Sequence, residues 1–247
     1  MPNHFSRKEE RFLERLDKII SNRTGISRKD AKAAISAGKV TVSGKIIRSS
    51  DFKVGENDEI FLGCNKISEN AHIYIVLNKP KGYVSATEDP QQKTVIELVP
   101  PELFRNGIFP AGRLDKDTTG LMIITDDGDF AHRILAPRKH VPKKYAVTID
   151  LPVTDEMEKG FSEGIELSDG ICKSAKLLKT GEYTCEVTLS EGRYHQIKRM
   201  FGCFGAKVTE LHRLSMGGFC LPENLLPGEC RELTNEELAL IESKVNE

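Results

Sequence analysis

The sequence has no tryptophan, no long apolar run and no apolar stretch near its N-terminus. No segment approaches the roughly 20 consecutive apolar residues that a membrane-spanning helix requires. Residues 1–15 are largely polar and charged, so they lack the apolar centre of a secretory signal peptide. These absences predict a cytoplasmic protein with no membrane association.

Cysteines are few, and no two of them form a C-x-x-C pair. Their spacing does not suit a zinc site, and a chain of 247 residues without a secretion signal does not need disulfides. We therefore expect reduced, mostly buried cysteines and no bound metal. The six positions are Cys64, Cys172, Cys185, Cys203, Cys220 and Cys230.

The net charge of −1 is small, but the charge is unevenly distributed along the chain. Residues 1–63 contain 13 Lys or Arg and 9 Asp or Glu, whereas the remaining residues contain 23 and 28. A local excess of basic residues indicates nucleic-acid binding better than the net charge of a whole chain does. We therefore expect a polyanion to bind first at the N-terminal region.

The N-terminal region is predicted to hold two short helices and a β-hairpin. An apolar stripe predicts the first helix over Phe12–Arg23, while Ser27 is a favourable N-cap for the second and Gly38 a plausible C-terminal cap. A hairpin is expected over Val40–Ile47. Two short helices could form a DNA-reading helix-turn-helix, but the hairpin favours a different interpretation.

The segment from Arg15 to Val54 resembles the S4-like RNA-binding domain. Basic residues surround its second helix, and the resemblance implies that Arg28, Lys29 and Lys32 dock RNA. The alternative is that these charges form only a solvated face, as most surface charges do. The predicted boundaries are 1–63 for this domain, 64–72 for a linker and 73–247 for a second domain.

The second domain alternates predicted strands with short helices. This mixture indicates an α+β fold with a mixed, largely antiparallel sheet. No period of 20–50 residues recurs, which argues against a solenoid. The predicted strands are 73–77, 121–124, 143–149, 183–189 and 207–214, and the predicted helices are 95–98, 130–135, 155–164, 193–204 and 235–245.

The run from Ala111 to Gly128 places two carboxylates in a polar turn directly before an apolar strand. Turns on rigid strands commonly hold catalytic groups, so Asp115 is a candidate catalytic carboxylate, and Asp117 is expected to be a turn or capping residue. The spacing imitates a calcium-binding loop, but Pro110 disfavours the incoming helix that such a loop needs. Asp115 as a simple turn cap is the other alternative; the nearby Arg113 is not required for capping.

The predicted helix Arg193–Phe204 has one apolar and one basic side. His195, Lys198 and Arg199 share the basic side, which suits contacts with phosphates or with a buried carboxylate. A plain solvated face is the alternative. His195 has no cluster of His or Cys residues around it, so we do not expect it to bind metal.

Several motifs together resemble the RsuA family of pseudouridine synthases. They follow the family's order, and with the S4-like domain the resemblance covers nearly the whole chain from Arg15 onward. Tyr194 and His195 favour the enzymes of small-subunit rRNA over the large-subunit enzymes of the same family. The matching segments are Lys79–Gly82, Gly112–Asp115, Thr119–Leu121, Thr125–Gly128 and Glu191–Met200.

The resemblance implies a role for each matching residue. Asp115 corresponds to the family's essential aspartate, and Tyr145 to the tyrosine that packs on the target base and takes its C5 proton. Lys198 stands where the family has a basic partner of the aspartate; many members have Arg there, and Lys cannot make the same bidentate pair. Arg113 corresponds to a residue that holds the flipped-out nucleotide. The other expected substrate-binding residues are Thr119, Arg193, His195 and Arg199.

The implied reaction converts a uridine of small-subunit rRNA to pseudouridine with an aspartate nucleophile. The uracil is its own returning nucleophile, so no cofactor and no external water are expected. The expected partner is 16S rRNA or a small-subunit assembly intermediate, and the expected state is a monomer. Three alternatives remain open: a large-subunit rRNA synthase of the same family, a catalytically inactive RNA-binding assembly factor and, less well supported, a DNA-binding regulator.

Overall fold

The computed structural model describes residues 14–55, 58–67, 72–136 and 141–243. Contacts divide the chain into two units. The first extends to His72 and includes the segment Phe104–Gly107, and the second comprises Ile73–Leu103 and the chain from Ile108 onward. No helix within these described ranges is long and apolar enough to cross a membrane.

The first unit contains two helices and short antiparallel strands around a small apolar core. Strand β1 pairs with β4, and a second sheet has the order β3-β2-β5-β6. The elements are β1 (Glu14–Arg15), α1 (Leu16–Thr24), α2 (Arg28–Ser36), β2 (Val40–Val42), β3 (Lys45–Ile46), β4 (Lys53–Val54), β5 (Ile60–Leu62) and β6 (Asn65–Ile67).

Local signals explain the ends of these helices. The Ser27 hydroxyl accepts a hydrogen bond from the Asp30 amide at 3.1 Å, which confirms the predicted N-cap of α2. Gly38 follows α2 with φ of 73°, the left-handed conformation that commonly ends a helix. The first helix begins at Leu16, later than predicted; Phe12, where the prediction began, lies outside the described residues.

The predicted linker is partly wrong. Its residues Asn65–Ile67 form β6 and pair with Ile60–Leu62, so they complete the sheet of the first unit. Ile67 is buried in the apolar core of that unit. A polar composition hid this strand, because only one of its three side chains faces the core.

The second unit is built on one large sheet with helices on both faces. Its strands are β7 (Tyr74–Lys79), β8 (Phe109–Pro110), β9 (Thr119–Thr125), β10 (Lys143–Ile149), β11 (Glu166–Leu167), β12 (Gly170–Ile171), β13 (Lys176–Lys179), β14 (Thr184–Leu189), β15 (Val208–Met216), β16 (Phe219–Cys220) and β17 (Cys230–Glu232). Its helices are a 3₁₀ turn (Val95–Leu98), α3 (Gly128–Leu135), α4 (Asp155–Glu163), α5 (Gln196–Gly202) and α6 (Asn235–Glu242).

The nine-stranded sheet has the order β13-β14-β10-β15-β9-β7-β17, with β16 beside β15 and β8 beside β9. Only the β15–β9 pair is parallel among the described strands; the others are antiparallel. The predicted α+β class with a mixed, largely antiparallel sheet is therefore confirmed. The small pair β11–β12 forms a separate hairpin.

Strand β9 lies between the two apolar cores of the second unit. Met122 and Ile124 belong to the core that includes α4 and α5, whereas Leu121 and Ile123 belong to the core that includes α3 and α6. Burial on both faces explains why residues 121–124 of this strand are all apolar rather than alternating with polar residues. The polar turn that carries Asp115 is therefore attached to one of the most deeply buried strands.

Two predictions about the second unit are corrected. The helix expected over Arg193–Phe204 comprises only Gln196–Gly202, because the backbone at His195 is left-handed, with φ of 48°. The cysteines are not mostly buried: Cys172 and Cys185 are buried, and Cys230 is half-buried. The remaining three, all exposed, are Cys64, Cys203 and Cys220, and all six are free thiols.

Candidate active site

The turn that carries Asp115 joins β8 to β9 and is held from below by a buried lysine. The Lys79 side chain is fully buried and donates hydrogen bonds to the carbonyl oxygens of Asp115, Lys116 and Thr118, at 3.1, 3.3 and 2.8 Å. Burial lowers the pKa of Lys79 to about 8. Three backbone bonds to one ammonium group give the turn a fixed shape, so that the Asp115 carboxylate has a defined position.

Asp115 and Asp117 share one ammonium group. The Lys198 Nζ atom lies 3.0 Å from Asp115 Oδ2, and it donates to Asp117 Oδ1 at 2.7 Å and Oδ2 at 2.9 Å. The predicted pairing of Lys198 with Asp115 is therefore present across 83 positions of sequence. Asp117, expected only to stabilise the turn, is a second partner of Lys198.

The ion pairs perturb the protonation of this cluster in the expected directions. Burial lowers the pKa of Lys198, but hydrogen bonds to Asp117 and Asp115 outweigh that effect and the net pKa is raised. The hydrogen bond from Lys198 lowers the pKa of Asp117. Lys198 therefore stays positively charged at neutral pH, and its charge lies between the two carboxylates, where a calcium ion would otherwise have to bind. Strands β8 and β9, not helices, flank the turn, so the calcium-loop alternative is excluded.

His195 approaches the other oxygen of Asp115. Its Nε2 atom lies 3.4 Å from Asp115 Oδ1, and the left-handed backbone at His195 directs the ring there. Because Lys198 contacts Oδ2 and His195 contacts Oδ1, both carboxylate oxygens have a nitrogen neighbour. The Asp115 side chain is nevertheless 26% exposed, so a substrate can reach it.

Strands β9 and β15 approach each other closely next to the turn that carries Asp115. Gly120 pairs with Arg213, and a Cβ atom at Gly120 would collide with the Arg213 backbone, so only glycine fits this position, which also has φ of 99°. Next to it, the Thr119 hydroxyl lies 2.8 Å from His212 Nδ1. Thr119, predicted to bind substrate, is thus already engaged by a strand neighbour.

Comparisons with known proteins agree with this geometry. Residues 73–202 match a family model described as RNA pseudouridylate synthase, and residues 14–60 match the S4 domain. The chain is 43% identical over 230 residues to the ribosomal small subunit pseudouridine synthase A of Escherichia coli (strain K12), covering 92% of this chain and 99% of that protein. The chain belongs to the RNA pseudouridylate synthase family. It is an isomerase of the RsuA type with an N-terminal S4 domain.

Further relatives support the same assignment. The protein of the same name from Yersinia pestis is 40% identical over 230 residues, covering 92% of this chain and 97% of that protein. A crystal structure of a pseudouridylate synthase has a TM-score of 0.65 and 38% identity, and the match covers 92% of this synthase and 99% of that chain. The resemblance inferred from the motifs is therefore confirmed at the level of the family.

Tyr145 reaches the same region from a different strand. It lies on β10, opposite Arg213 of β15, and it belongs to the apolar core that also contains Leu114, the residue before Asp115. Only 8% of Tyr145 is exposed. Within the described residues, its hydroxyl has no hydrogen-bond partner and so remains available to a substrate.

Two residues expected to bind substrate instead hold the protein together. The Arg193 guanidinium donates to the carbonyl oxygens of Gly170 at 2.9 Å and of Ile171 on the β11–β12 hairpin. Arg199 pairs with Asp169 of the same hairpin. The structure does not bring these arginines to Asp115. Arg113 is exposed and has no hydrogen bond or ion pair in the part of the chain that the structure describes, so it remains free to bind RNA.

Three buried cations among the described residues of the second unit were missed by sequence reasoning. Lys79, Lys143 and Arg213 are almost fully buried, and burial lowers the pKa of Lys143 to about 8. Lys143 lies two residues before Tyr145 on β10, so the two side chains face the same side of the strand. This spacing of two can be read from the sequence. Charged residues are rarely fully buried, and the prediction followed that rule rather than the alternation.

In the first unit, the expected RNA-docking residues differ in their contacts. Arg28 and Lys32 lie 3.5 and 3.9 Å from the carboxylate of Asp17, which Arg15 also binds at 3.0 Å. Lys29 is exposed and has no such pair among the described side chains. Arg28 and Lys32 are thus more than half exposed beside a buried carboxylate, whereas the charge of Lys29 is not offset by a described carboxylate.

Proposed function

We propose that this synthase converts a specific uridine of small-subunit ribosomal RNA to pseudouridine. Its similarity to the ribosomal small subunit pseudouridine synthase A of Escherichia coli, across 92% of the chain, supports this substrate. The observation that carries the proposed chemistry is Asp115, a partly exposed carboxylate with Lys198 on one oxygen and His195 on the other.

The reaction rearranges one nucleotide without adding or removing atoms. The N1–C1′ bond breaks, the uracil turns, a C5–C1′ bond forms, and the C5 proton is lost while N1 gains one. Uridine and pseudouridine are isomers, so the overall change needs no oxidant, reductant or co-substrate. We propose that this enzyme works without a cofactor for that reason.

Asp115 is proposed to act at C1′ as the nucleophile. Its carboxylate oxygen forms a bond to C1′ while the bonding electrons of C1′–N1 pass to uracil N1, as in retaining glycosidases. The uracil then turns and C5 attacks C1′, which returns the electron pair to Asp115. Lys198 stabilises the ionised carboxylate at the start and again when it leaves.

Tyr145 is proposed to contact the base and to accept the C5 proton on its oxygen while its own hydroxyl proton passes to uracil N1, so that the tyrosine is neutral before and after the step. A target uridine must leave its stack before any carboxylate can reach C1′, and a flipped base needs an apolar surface to receive it. Tyr145 offers part of a ring and a hydroxyl without another partner among the described residues. Arg113, which is exposed, is proposed to hold the nucleotide from the solvent side.

The S4-like domain, whose sheet β6 completes, is proposed to dock the rRNA. Its basic excess and the exposed Lys29 support this role, because phosphate contacts by Lys and Arg supply most of the affinity for nucleic acids. Residues 73–247 are proposed to carry the chemistry. Each described side chain of the candidate site lies within that second part.

The decisive experiment maps pseudouridine in the rRNA of a deletion strain. Wild-type protein should restore one site in small-subunit rRNA, whereas Asp115→Asn should restore none, although its fold should be intact. Asp129→Asn is the matched control, since it changes an exposed carboxylate in α3, away from Lys198, and should restore the site fully.

Each alternative predicts a different map. A restored site in large-subunit rRNA would overturn the proposed substrate but keep the enzyme class. Restoration by Asp115→Asn would show that this residue is not the nucleophile. A deletion that loses no pseudouridine, with a defect in subunit assembly that Asp115→Asn rescues, would favour the non-catalytic assembly factor.

A further inference from the structure

Tyr194 is the most exposed of the large apolar side chains in the described ranges, with 72% of its surface accessible. An isolated exposed aromatic residue is common and proves nothing by itself. Tyr194 differs from the others in its position, because it directly precedes His195, whose ring lies 3.4 Å from Asp115. The exposed ring of Tyr194 therefore belongs to the turn that contacts the proposed catalytic carboxylate.

The Tyr194 ring is held rather than freely mobile. It stacks on the His195 ring with a centroid distance of 3.8 Å and an interplanar angle of 21°. The backbone of the next residue, His195, is left-handed, which is energetically unfavourable for a residue other than glycine, so neighbouring contacts must maintain it. One such contact is the hydrogen bond that Arg199 donates to the Tyr194 carbonyl at 3.1 Å.

The contacts around this turn explain the two arginines that do not reach Asp115. Arg199 also pairs with Asp169 and donates to the Ser168 hydroxyl at 3.1 Å, which fixes its guanidinium. Arg193 ties the start of the same turn to the β11–β12 hairpin. Together they form a support that presents the stacked pair Tyr194–His195 at one side of the active site.

The two tyrosines of the region suit different bases. Tyr145 is 92% buried and can offer only a small part of its surface to the flipped-out uracil. Tyr194 offers nearly a whole ring face to solvent, which is what a nucleobase needs for stacking. A nucleotide that leaves its stack also exposes the face of its neighbour, and that face needs a new partner.

We propose that Tyr194 stacks on a nucleobase adjacent to the target uridine, with His195 behind it, and so positions the rRNA for attack by Asp115. This inference deepens the proposed function and rests on it. Tyr194 acts on substrate binding and register, not on bond breaking. It would thus restrict the enzyme to RNA in which the neighbouring base can be unstacked.

The test compares Tyr194→Ala, Tyr194→Phe and Tyr183→Ala in the full-length enzyme. Tyr183 is a matched control because it is also exposed, at 44%, but its backbone pairs with Ile149 at the end of β10 and not with the turn that carries His195. The substrate is a transcript of whichever rRNA wild-type protein modifies in the deletion strain. We expect Tyr194→Ala to raise KM about tenfold and to change kcat less than about twofold. Tyr194→Phe and Tyr183→Ala should behave like wild type.

A fluorescent base provides a direct readout of stacking. With 2-aminopurine placed next to the target uridine, binding of wild-type enzyme or Tyr194→Phe should quench the fluorescence, and Tyr194→Ala should not. Unchanged KM and unchanged quenching in Tyr194→Ala, with an active wild-type enzyme, would overturn the inference. A target in large-subunit rRNA would overturn only the proposed substrate, since the same comparison is then made on that RNA.

Discussion

Asp17 in the first unit and Asp115 in the second each lie 3.0 Å from a cationic side chain, but they differ in burial. The Asp17 side chain is fully buried, and Arg15, Arg28 and Lys32 surround it. The Asp115 side chain is 26% exposed, with Lys198 and His195 as neighbours. The hydrogen bond from Arg15 holds the pKa of Asp17 at about 2.

The comparison shows that pairing with cations does not by itself mark a catalytic carboxylate. A buried carboxylate that is fully paired stabilises the fold, because unpaired charge in the interior is costly. A carboxylate that has nitrogen neighbours at both oxygens but is open to solvent can still meet a substrate. Exposure, and not the number of neighbouring side chains, separates the structural role of Asp17 from the role proposed for Asp115.

The strongest test of the comparison removes the cation beside Asp115. Lys198→Met should lower kcat by about 10²-fold, because the charge that stabilises Asp115 is lost and Asp117 is left as an uncompensated negative neighbour. Lys198→Arg should recover part of the rate, since it restores the charge with a different geometry. Single-turnover kinetics with a transcript of the rRNA that the enzyme modifies, in which the target uridine is still unconverted, provide the measurement.

Two results bear on how Lys198→Met is interpreted. Lys207→Met should leave kcat unchanged, because the ammonium group of this exposed lysine has no carboxylate partner among the described residues, and its bond to Asp150 is made by the backbone amide. A Lys198→Met enzyme with wild-type kcat would mean that Asp115 does not depend on this cation, and that the contact serves only to shape the turn.

A second test concerns Asp17 and stability. Its pKa is lower in the folded than in the unfolded state, so it contributes about 2 kcal/mol to the stability of the first unit above about pH 4, and this contribution is lost between about pH 4 and pH 2. Asp17→Asn should remove that contribution and its pH dependence. Hydrogen-exchange mass spectrometry of peptides within residues 14–55 measures the change.

Asp115→Asn provides the converse of that experiment. It should leave the exchange of both units unchanged while abolishing turnover, whereas Asp17→Asn should retain kcat at saturating RNA. Equal loss of protection in the two variants would contradict the distinction between a structural and a chemical aspartate.

The smallest expected effect concerns Lys29, an exposed cation of α2 with no carboxylate partner among the described residues. Lys29→Glu should weaken rRNA binding about three- to tenfold at low salt, and the difference from wild type should shrink as salt rises, because phosphate contacts release counterions. Lys45→Glu, on the exposed strand β3, makes the same charge change away from α2. Binding by Lys29→Glu that matches this control at every salt concentration would remove Lys29 from the docking surface.

Local patterns in the sequence were reliable where one residue decides a local structure. Ser27 and Gly38 mark the ends of α2, and the strand Lys143–Ile149 has the predicted bounds. Motif order also identified the enzyme family, because those motifs combine unusual residue types at fixed spacing. Asp115 as the candidate carboxylate follows from its turn and from the strand after it.

Predictions from local patterns failed where a side chain's partner lies far along the chain, whereas the family resemblance did imply the distant pair Lys198–Asp115. A helical projection put His195 and Arg199 on one basic face, but the left-handed turn at His195 separates them: one points to Asp115 and the other to Asp169. The pair between Lys198 and Asp117 was also missed, because these residues lie far apart in the sequence and meet only in the folded chain. The periodicity of apolar and basic residues within one helix gives no information about where a hairpin 30 residues away will lie.

The sequence by itself determined the family, the α+β class, most element positions and the aspartate proposed to attack C1′. Only the tertiary structure decided the pairs that the resemblance did not imply, such as Lys198 with Asp117, since the parallel pairing of β9 with β15, at Gly120 and Arg213, brings distant parts of the chain together beside the Asp115 turn. It also decided burial, which separates Asp17 from Asp115. Hydrogen bonds and ion pairs depend on distances of a few ångströms, and only the packed sheet specifies those distances.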